Sequence, residues 1–330
     1  MKIAVLGAGA MGGLFSAYLS RHNEVTVIDV NTALVDKVNA DGLEVREPDG
    51  SSAVYHPHAT SSTAGMEPVD VIIIFIPSMF SEAALESNRG IIGPDTYLMT
   101  LQNGSGHENI LGKFVDEEHI IIGTTQHNAN VGGPGISNHG GSGITHLGCV
   151  TGSAKRLQHI ADAFTACGLE ADVSDDVQRM IWNKMFTNVS ASALTAALQV
   201  PLGYISSNEH AWAMCRQLIR EAVDAAAGIG LEFDYEEKVA EVKAVCDNSP
   251  NGLTSIYAAV RDGRRTEVDT ISGSIVRAGE KGGVPTPSHT FLVQMIHAME
   301  GRGKYRMRRP HGPPAIYFIE GGFFNAGDHV

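Results

Sequence analysis

The sequence predicts a doubly wound, mostly parallel α/β sheet domain followed by an all-α domain, and three observations predict it. An apolar strand, Lys2–Leu6, feeds a glycine-rich turn, Gly7-Ala8-Gly9-Ala10-Met11-Gly12, and then a helix-like run over residues 13–20. Strand-like and helix-like stretches then alternate to about residue 173, the pattern of a parallel sheet wound with helices on both faces. From Ser174 to Gly301 almost every stretch has helical periodicity instead. The expected organisation is therefore 1–173, 174–301 and a remainder, 302–330.

Each glycine of the opening turn has a distinct expected task. Gly7 makes the tight turn, Gly9 lets a pyrophosphate approach the backbone, and Gly12 lets the helix lie close to the strand. The helix N-terminus then offers free N–H groups and the positive end of its dipole. The next strand, Glu24–Ile28, ends in Asp29, about 20 residues on, where a carboxylate can accept from ribose hydroxyls. With strand, helix, spacing and acid all in place, the turn marks a dinucleotide-binding (Rossmann) domain. The alternative is an ordinary glycine turn.

Residues 71–76 form a continuous apolar run, as a central parallel strand covered on both faces requires. Further strands are expected over 97–101 and 119–123, closed by Gln102-Asn103-Gly104 and Thr124-Thr125. Ligands of such sheets sit beyond the carboxyl ends of the strands, which places Asn103 and Thr124 near a cofactor by topology alone. Residues 132–143 are glycine-rich and turn-like, and with 144–148 read as antiparallel strands finishing the domain. A helix over 154–168 and a short strand over 170–173 follow. Ser174-Asp175-Asp176 reads as a helix N-cap. Breaks in the helical part are expected at Pro201, residues 228–230, 249–252 and 282–287.

Composition narrows the function. Of 330 residues, 43% are hydrophobic and 18% charged, which suits an enzyme with a large core, and the net charge of −13 disfavours nucleic acid as a partner. No run reaches the ~18 apolar residues of a membrane span. Because the chain opens on a strand, no signal peptide is expected. The four cysteines form no C-x-x-C pair, so free thiols in the cytoplasm are expected. The histidines show no metal-ligand spacing; His56 and His58, flanking Pro57, read as loop residues. Residues 302–330 start basic and become Pro- and Gly-rich with several aromatics. They read either as a surface-draped or disordered tail or as a segment packing on a partner subunit.

The run over 181–195 is mostly apolar or small, yet Lys184, Asn188 and Ser192 recur every four residues, with Thr195 three further on. That spacing lines one helix face. Since burying an unpaired lysine is costly, the stripe either meets solvent or lines a polar cleft. In a cleft beside a nicotinamide, a lysine ammonium can hydrogen-bond a ketone oxygen, stabilise the developing alkoxide and donate a proton. Desolvation would lower its pKa, and a nearby carboxylate would hold it charged and oriented. Glu267, just after a basic turn, is a candidate carboxylate. Taken alone, Glu267 is an ordinary helix-start acid and Ser255 an ordinary capping or surface serine.

Together these blocks resemble the ketopantoate reductase family from Met1 to about Gly301. The matching segments are the glycine turn at 7–12, Gln102-Asn103-Gly104, Gly123-Thr124-Thr125, residues 143–148, Trp182-Asn183-Lys184 and Arg265-Thr266-Glu267-Val268-Asp269. The resemblance implies an active site in the cleft between the two domains. It makes Lys184 the catalytic lysine and Glu267 the acid supporting it. It places Asn103 beside nicotinamide and substrate, and Asn188 and Ser255 at substrate-binding positions. The implied reaction takes a small 2-oxo acid to its (R)-2-hydroxy acid. Residues 302–330 match nothing in the family.

Three departures from the family pattern qualify the substrate and cofactor. The arginine that clasps an NADP 2′-phosphate is replaced by Asp29, so NADH is expected to be preferred, with NADPH second. The lysine after the 71–76 strand is replaced at Pro77-Ser78, which removes another cationic cofactor contact. The second asparagine of the helix stripe is Ser192, which widens the pocket and loses an amide contact. An NAD-dependent D-2-hydroxyacid dehydrogenase of mandelate or 2-hydroxyisocaproate type is therefore the alternative enzyme. A non-catalytic NADH-sensing regulator is a more remote reading, disfavoured because Lys184, Asn188 and Glu267 are all present. A homodimer through the helical domain is the candidate assembly.

Overall fold

The computed structural model describes residues 1–301; the basic, glycine-rich remainder lies outside the described residues. The main sheet has eight strands in the order β12-β11-β8-β7-β6-β1-β2-β5. They are β1 (Lys2–Leu6), β2 (Glu24–Ile28), β5 (His58–Thr60), β6 (Val71–Ile74), β7 (Tyr97–Thr100), β8 (Ile120–Thr125), β11 (Thr145–Cys149) and β12 (Ala171–Val173). All neighbours are parallel except β8 and β11. The doubly wound, mostly parallel architecture is as the sequence predicts.

Alternation along the strands serves two cores. Ile3, Val5, Val27 and Ile73 point to one face, where Phe15 and Phe164 also pack. Ala4, Leu6, Ile72 and Ile74 point to the other, against Leu85 and Val177. The helices of this part are α1 (Ala10–Leu19), α2 (Thr32–Asp41), α3 (Ser81–Ser87), α4 (Glu108–Leu111) and α5 (Gln158–Ala166).

A second sheet, ordered β4-β3-β10-β9, was not foreseen as a separate layer. It comprises β3 (Leu43–Arg46), β4 (Ser52–Tyr55), β9 (Asn128–Gly133) and β10 (Ile136–Gly141). The antiparallel pairing expected around residues 132–143 is present as the β9–β10 hairpin, but the hairpin leaves the main sheet and covers α1. Ser137 Oγ donates to Ala10 O at 3.0 Å, and a Cβ at Gly13 would come within 2.6 Å of that hydroxyl. Glu47, in the turn between β3 and β4, accepts from Tyr18 Oη and pairs with His139 Nδ1 at 2.8 Å, while His139 Nε2 meets His127 Nδ1 at 3.1 Å. This chain of polar groups fastens the small sheet to α1.

Three local expectations are corrected. The 71–76 run stops being a strand at Ile74, because Phe75 and Ile76 turn onto the glycine loop. His58 is the first residue of β5 and not a loop residue. The 174–176 segment does not cap its helix with a side chain. Asp176 occupies the cap position, its N–H bonds Ser174 Oγ at 3.1 Å, and the Asp175 carboxylate accepts from Ala154 N at 2.6 Å.

From Val177 to Gly301 the described chain is helical: α6 (Val177–Thr187), α7 (Ala193–Leu198), α8 (Leu202–Ser207), α9 (Glu209–Gly228), α10 (Tyr235–Asn248), α11 (Ser255–Arg261), α12 (Ser272–Gly282) and α13 (Pro287–Gly301). The four expected breaks are present, but the helices are also interrupted at Asn208 and over residues 262–271, which were not expected. The helices enclose their own core around Trp182, Phe186, Leu218 and Ile275. Helix α6 packs across β8 and β11, which presents its polar residues to the strand ends of the sheet. No described helix is long and apolar enough to cross a membrane. All four cysteines are free, and burial pushes the Cys215 thiol up to about 12 and the Cys246 thiol to about 11.

Candidate active site

The glycine turn closes one side of the site. Gly7 has φ +98°, and a Cβ there would lie 2.8 Å from Ile76 Cγ2. A Cβ at Gly12 would lie 1.9 Å from Gly7 O, so only glycine lets α1 approach β1 this closely. At Gly9 an added Cβ would meet nothing within 4 Å. Nothing inside the protein requires glycine there; a pyrophosphate against the backbone would. No side chain caps the α1 N-terminus, so its N–H groups remain available to an anion. Ala8, Ala10 and Met11 complete the turn. These features fit a dinucleotide.

Asp29 is half-buried at the end of β2. Its Oδ2 accepts from Ala8 N at 2.8 Å and its Oδ1 from Asn31 N at 2.9 Å. The carboxylate thus ties the glycine turn to β2, a structural task the sequence did not reveal. Each oxygen keeps a further lone pair for a ribose hydroxyl.

Beyond β7 and β8, one small pocket brings together Asn103, Gly104, Thr124, Lys184 and Asn188. Asn103 and Gly104 come from the loop after β7, Thr124 from β8, Lys184 from α6 and Asn188 from the turn that follows. Lys184 Nζ donates to Thr125 O at 2.9 Å. By surface area Lys184 is exposed to the cleft, and the protein surrounding it partly desolvates the ammonium, which lowers its pKa. A polar groove runs along the other side of Lys184, where buried Lys238 donates to Asn183 Oδ1 at 2.5 Å and to Glu241 Oε2 at 2.8 Å. Asn183 is thereby fixed next to the lysine.

The polar stripe is not continuous. Residues Asn188–Ser192 form a π-helical turn between α6 and α7. Its wider i→i+5 hydrogen bonding changes which face the following residues present, a feature frequent at functional sites. Asn188 stays at the pocket, Ser192 is buried, and Thr195 Oγ1 turns to Thr254 Oγ1 at 2.8 Å.

The expected Lys184–Glu267 pairing is not what the structure shows. Among the described residues no carboxylate forms an ion pair with Lys184; the Thr125 carbonyl orients it. Glu267 Oε1 instead accepts from Ser78 N at 3.0 Å, immediately after Pro77. The acid therefore sits against the loop after β6. It lies in the turn before α12, not on a helix. Pro77 is exposed beside it. Ser255 is exposed at the start of α11, whose cap is the neighbouring Thr254, accepting from Tyr257 N at 3.2 Å. No described group of three His, Cys, Asp or Glu residues could hold a metal.

Several residues have roles that the sequence does not assign. Gln102 Nε2 bonds Ile76 O at 2.6 Å and so joins the loops after β6 and β7. Ser78, Thr125 and Thr270 contribute through backbone or hydroxyl contacts that carry no composition signal. Gln102, Gly104, Ser78 and Thr125 stand in segments the sequence marks as strand ends, Gly104 with φ +102°, but their contacts are not written there, and Thr270 has no sequence signal at all.

A doubly wound sheet with this turn, joined across a polar cleft to a helical domain, defines a dinucleotide-dependent oxidoreductase. Comparison with known proteins gives the family. Ketopantoate reductase PanE/ApbA matches residues 3–152, and its C-terminal counterpart matches 176–300. A 2-dehydropantoate 2-reductase of Lactococcus lactis is 30% identical, over 91% of this chain and 98% of its own length. One from Halobacterium salinarum is 26% identical over 92% and 100%. Among solved structures, D-mandelate dehydrogenase with NADH and anilino(oxo)acetate is 32% identical with a TM-score of 0.82, over 91% of this chain and 98% of that one. The chain belongs to the ketopantoate reductase family of oxidoreductases, and its cofactor is a nicotinamide dinucleotide.

Proposed function

We propose that the enzyme reduces 2-dehydropantoate, or a similar branched 2-oxo acid, to the (R)-2-hydroxy acid. The observation that carries this reading is the Lys184 ammonium, desolvated and held beside Asn103 and Asn188 at the strand ends. The nicotinamide, when bound, supplies the hydride to the carbonyl carbon. Lys184 hydrogen-bonds the carbonyl oxygen, stabilises its developing charge and gives up the proton that completes the alcohol. Asn103 and Asn188 offer amide donors to fix the substrate, and Ser255, exposed at the start of α11, is a further substrate contact on the helical side, whereas Ser192 is buried outside the pocket lining. Glu267 supports the site from the loop after Pro77.

The lowered lysine pKa has a kinetic consequence. Reduction needs the protonated lysine, so kcat/KM holds on the acid side and falls as pH rises through that pKa. The fall sets in below 10.5, the ordinary lysine value. A pH profile with the midpoint at or above that value would contradict the desolvated site.

NADH is the preferred cofactor in this reading, with NADPH second. A 2′-phosphate would face the Asp29 carboxylate, whereas two ribose hydroxyls could donate to it. Wild-type kcat/KM should be higher with NADH. Asp29→Asn keeps an acceptor for Ala8 N but removes the charge, and should narrow the NADH/NADPH ratio by about tenfold, roughly 1.4 kcal/mol. Equal turnover with both cofactors in the wild type would sink this assignment.

A second reading, an NAD-dependent D-2-hydroxyacid dehydrogenase of mandelate or 2-hydroxyisocaproate type, is favoured by the similarity to D-mandelate dehydrogenase. Rates with ketopantoate, 2-oxoisovalerate, 2-oxoisocaproate and benzoylformate separate the two. A clear preference for ketopantoate supports the first and a preference for benzoylformate the second. We place the enzyme in the cytoplasm, where thiols stay reduced. We place a homodimer contact on the exposed apolar face around Met214 and Phe291.

A further inference from the structure

The turn between α11 and α12 touches both loops that face the nicotinamide side of the cleft. On the loop after β6, Ser78 N donates to Glu267 Oε1 at 3.0 Å and Ser78 Oγ meets Thr270 Oγ1 at 3.1 Å. On the loop after β7, Ser105 N donates to Thr270 O at 3.0 Å. Gly104 lies so close that a Cβ there would come 2.1 Å from Thr270 O. The Arg277 guanidinium spans the junction: Nη1 donates to Asp269 O at 2.8 Å in the helical domain, and Nη2 to Ser105 O at 3.1 Å in the sheet domain.

Both partners of this junction are held from behind. The turn is anchored to α13, where Glu300 accepts from Thr266 N at 2.7 Å and His297 Nε2 meets Asp269 Oδ1 at 2.9 Å. The loop after β7 is braced by buried His107, whose Nε2 bonds Asn103 O at 3.1 Å. A junction braced on each side transmits position and does not simply fill space.

We propose that Thr270 and Arg277 are positioning residues. They lock the loops bearing Pro77 and Asn103 onto the helical domain and thereby set the distance between the nicotinamide and Lys184. This rests on the reading of Lys184 as the proton donor. Neither side chain touches the reacting atoms; each acts through a loop. Proximity makes such residues matter, because a displacement of about 1 Å at a reacting pair can cost on the order of 10²-fold in rate.

The test uses Thr270→Val, which removes the hydroxyl at nearly constant volume, Thr270→Ser, which keeps it, and Arg277→Met, which keeps the stem. For each, kcat with NADH and the preferred 2-oxo acid, the NADH dissociation constant and the Tm are measured. Thr270→Val and Arg277→Met should each lower kcat by about tenfold, while NADH binding changes by less than about twofold. Thr270→Ser should restore kcat. Wild-type kcat in both Thr270→Val and Arg277→Met, NADH binding weakened as much as kcat, or failure of Thr270→Ser to rescue would overturn the proposal. Should Arg277→Met fail to fold, the Thr270 pair decides alone. Lys184→Ala run alongside separates the two readings: wild-type turnover there removes the proton-donor assignment itself.

Discussion

Lys184→Ala is expected to lower kcat for 2-oxo acid reduction by about 10²–10⁴-fold, the usual loss on removing a general acid. The expectation follows from position. Lys184 is the ammonium of the pocket shared by Asn103, Thr124 and Asn188, and among the described residues it has no carboxylate partner to which its charge would otherwise be committed. Truncation leaves the glycine turn and Asp29 untouched, so NADH should still bind with nearly wild-type affinity. A variant retaining wild-type kcat would remove the lysine from the chemistry. One that lost NADH binding and kcat together would make its role structural.

Gly12→Ala is the second large effect. The added methyl would sit 1.9 Å from Gly7 O and 3.3 Å from Phe75 Cβ, both parts of the β1–β6 floor. A backbone oxygen cannot rotate away as a side chain can, so α1 must lift from the sheet. Overpacking of this kind costs about 1–3 kcal/mol or more, and the α1 N-terminus moves away from where the pyrophosphate would lie. The variant should show both a lower Tm and at least tenfold weaker NADH binding, about 1.4 kcal/mol. Gly9→Ala is the matched control. Its methyl meets no protein atom, so its Tm should stay at the wild-type value while NADH binding weakens. If Gly9→Ala bound NADH normally, the pyrophosphate would not lie where the fingerprint places it.

What could be foreseen divides along physical lines. The glycine turn, the apolar strands β1, β2 and β6, and the helical breaks at Pro201 and residues 282–287 are written locally, in spacing and period. Lys184 and Asn188 were visible because a polar pair one turn apart stands out in an apolar helix. The second sheet was not visible, because β4 and β9 are largely exposed and lack the alternation that marks a half-buried strand. The π turn at Asn188–Ser192 has no composition of its own, so the i+4 spacing overextended the stripe. Glu267 could be picked as an acid but not placed, since its partner Ser78 lies 189 residues away and contributes a backbone N–H. Asp29 was expected as a ribose acid, but its bond to Ala8 N depends on how β1 and β2 lie side by side.

The most direct measurement follows the oxidation of NADH by a panel of 2-oxo acids and determines the chirality of the product, for the wild type and Lys184→Ala side by side. Wild-type turnover to an (R)-2-hydroxy acid, lost with Lys184→Ala while NADH still binds, is the predicted result. NADH binding without oxidation of NADH or NADPH by any 2-oxo acid would contradict it and return the chain to the reading of a cofactor-sensing regulator.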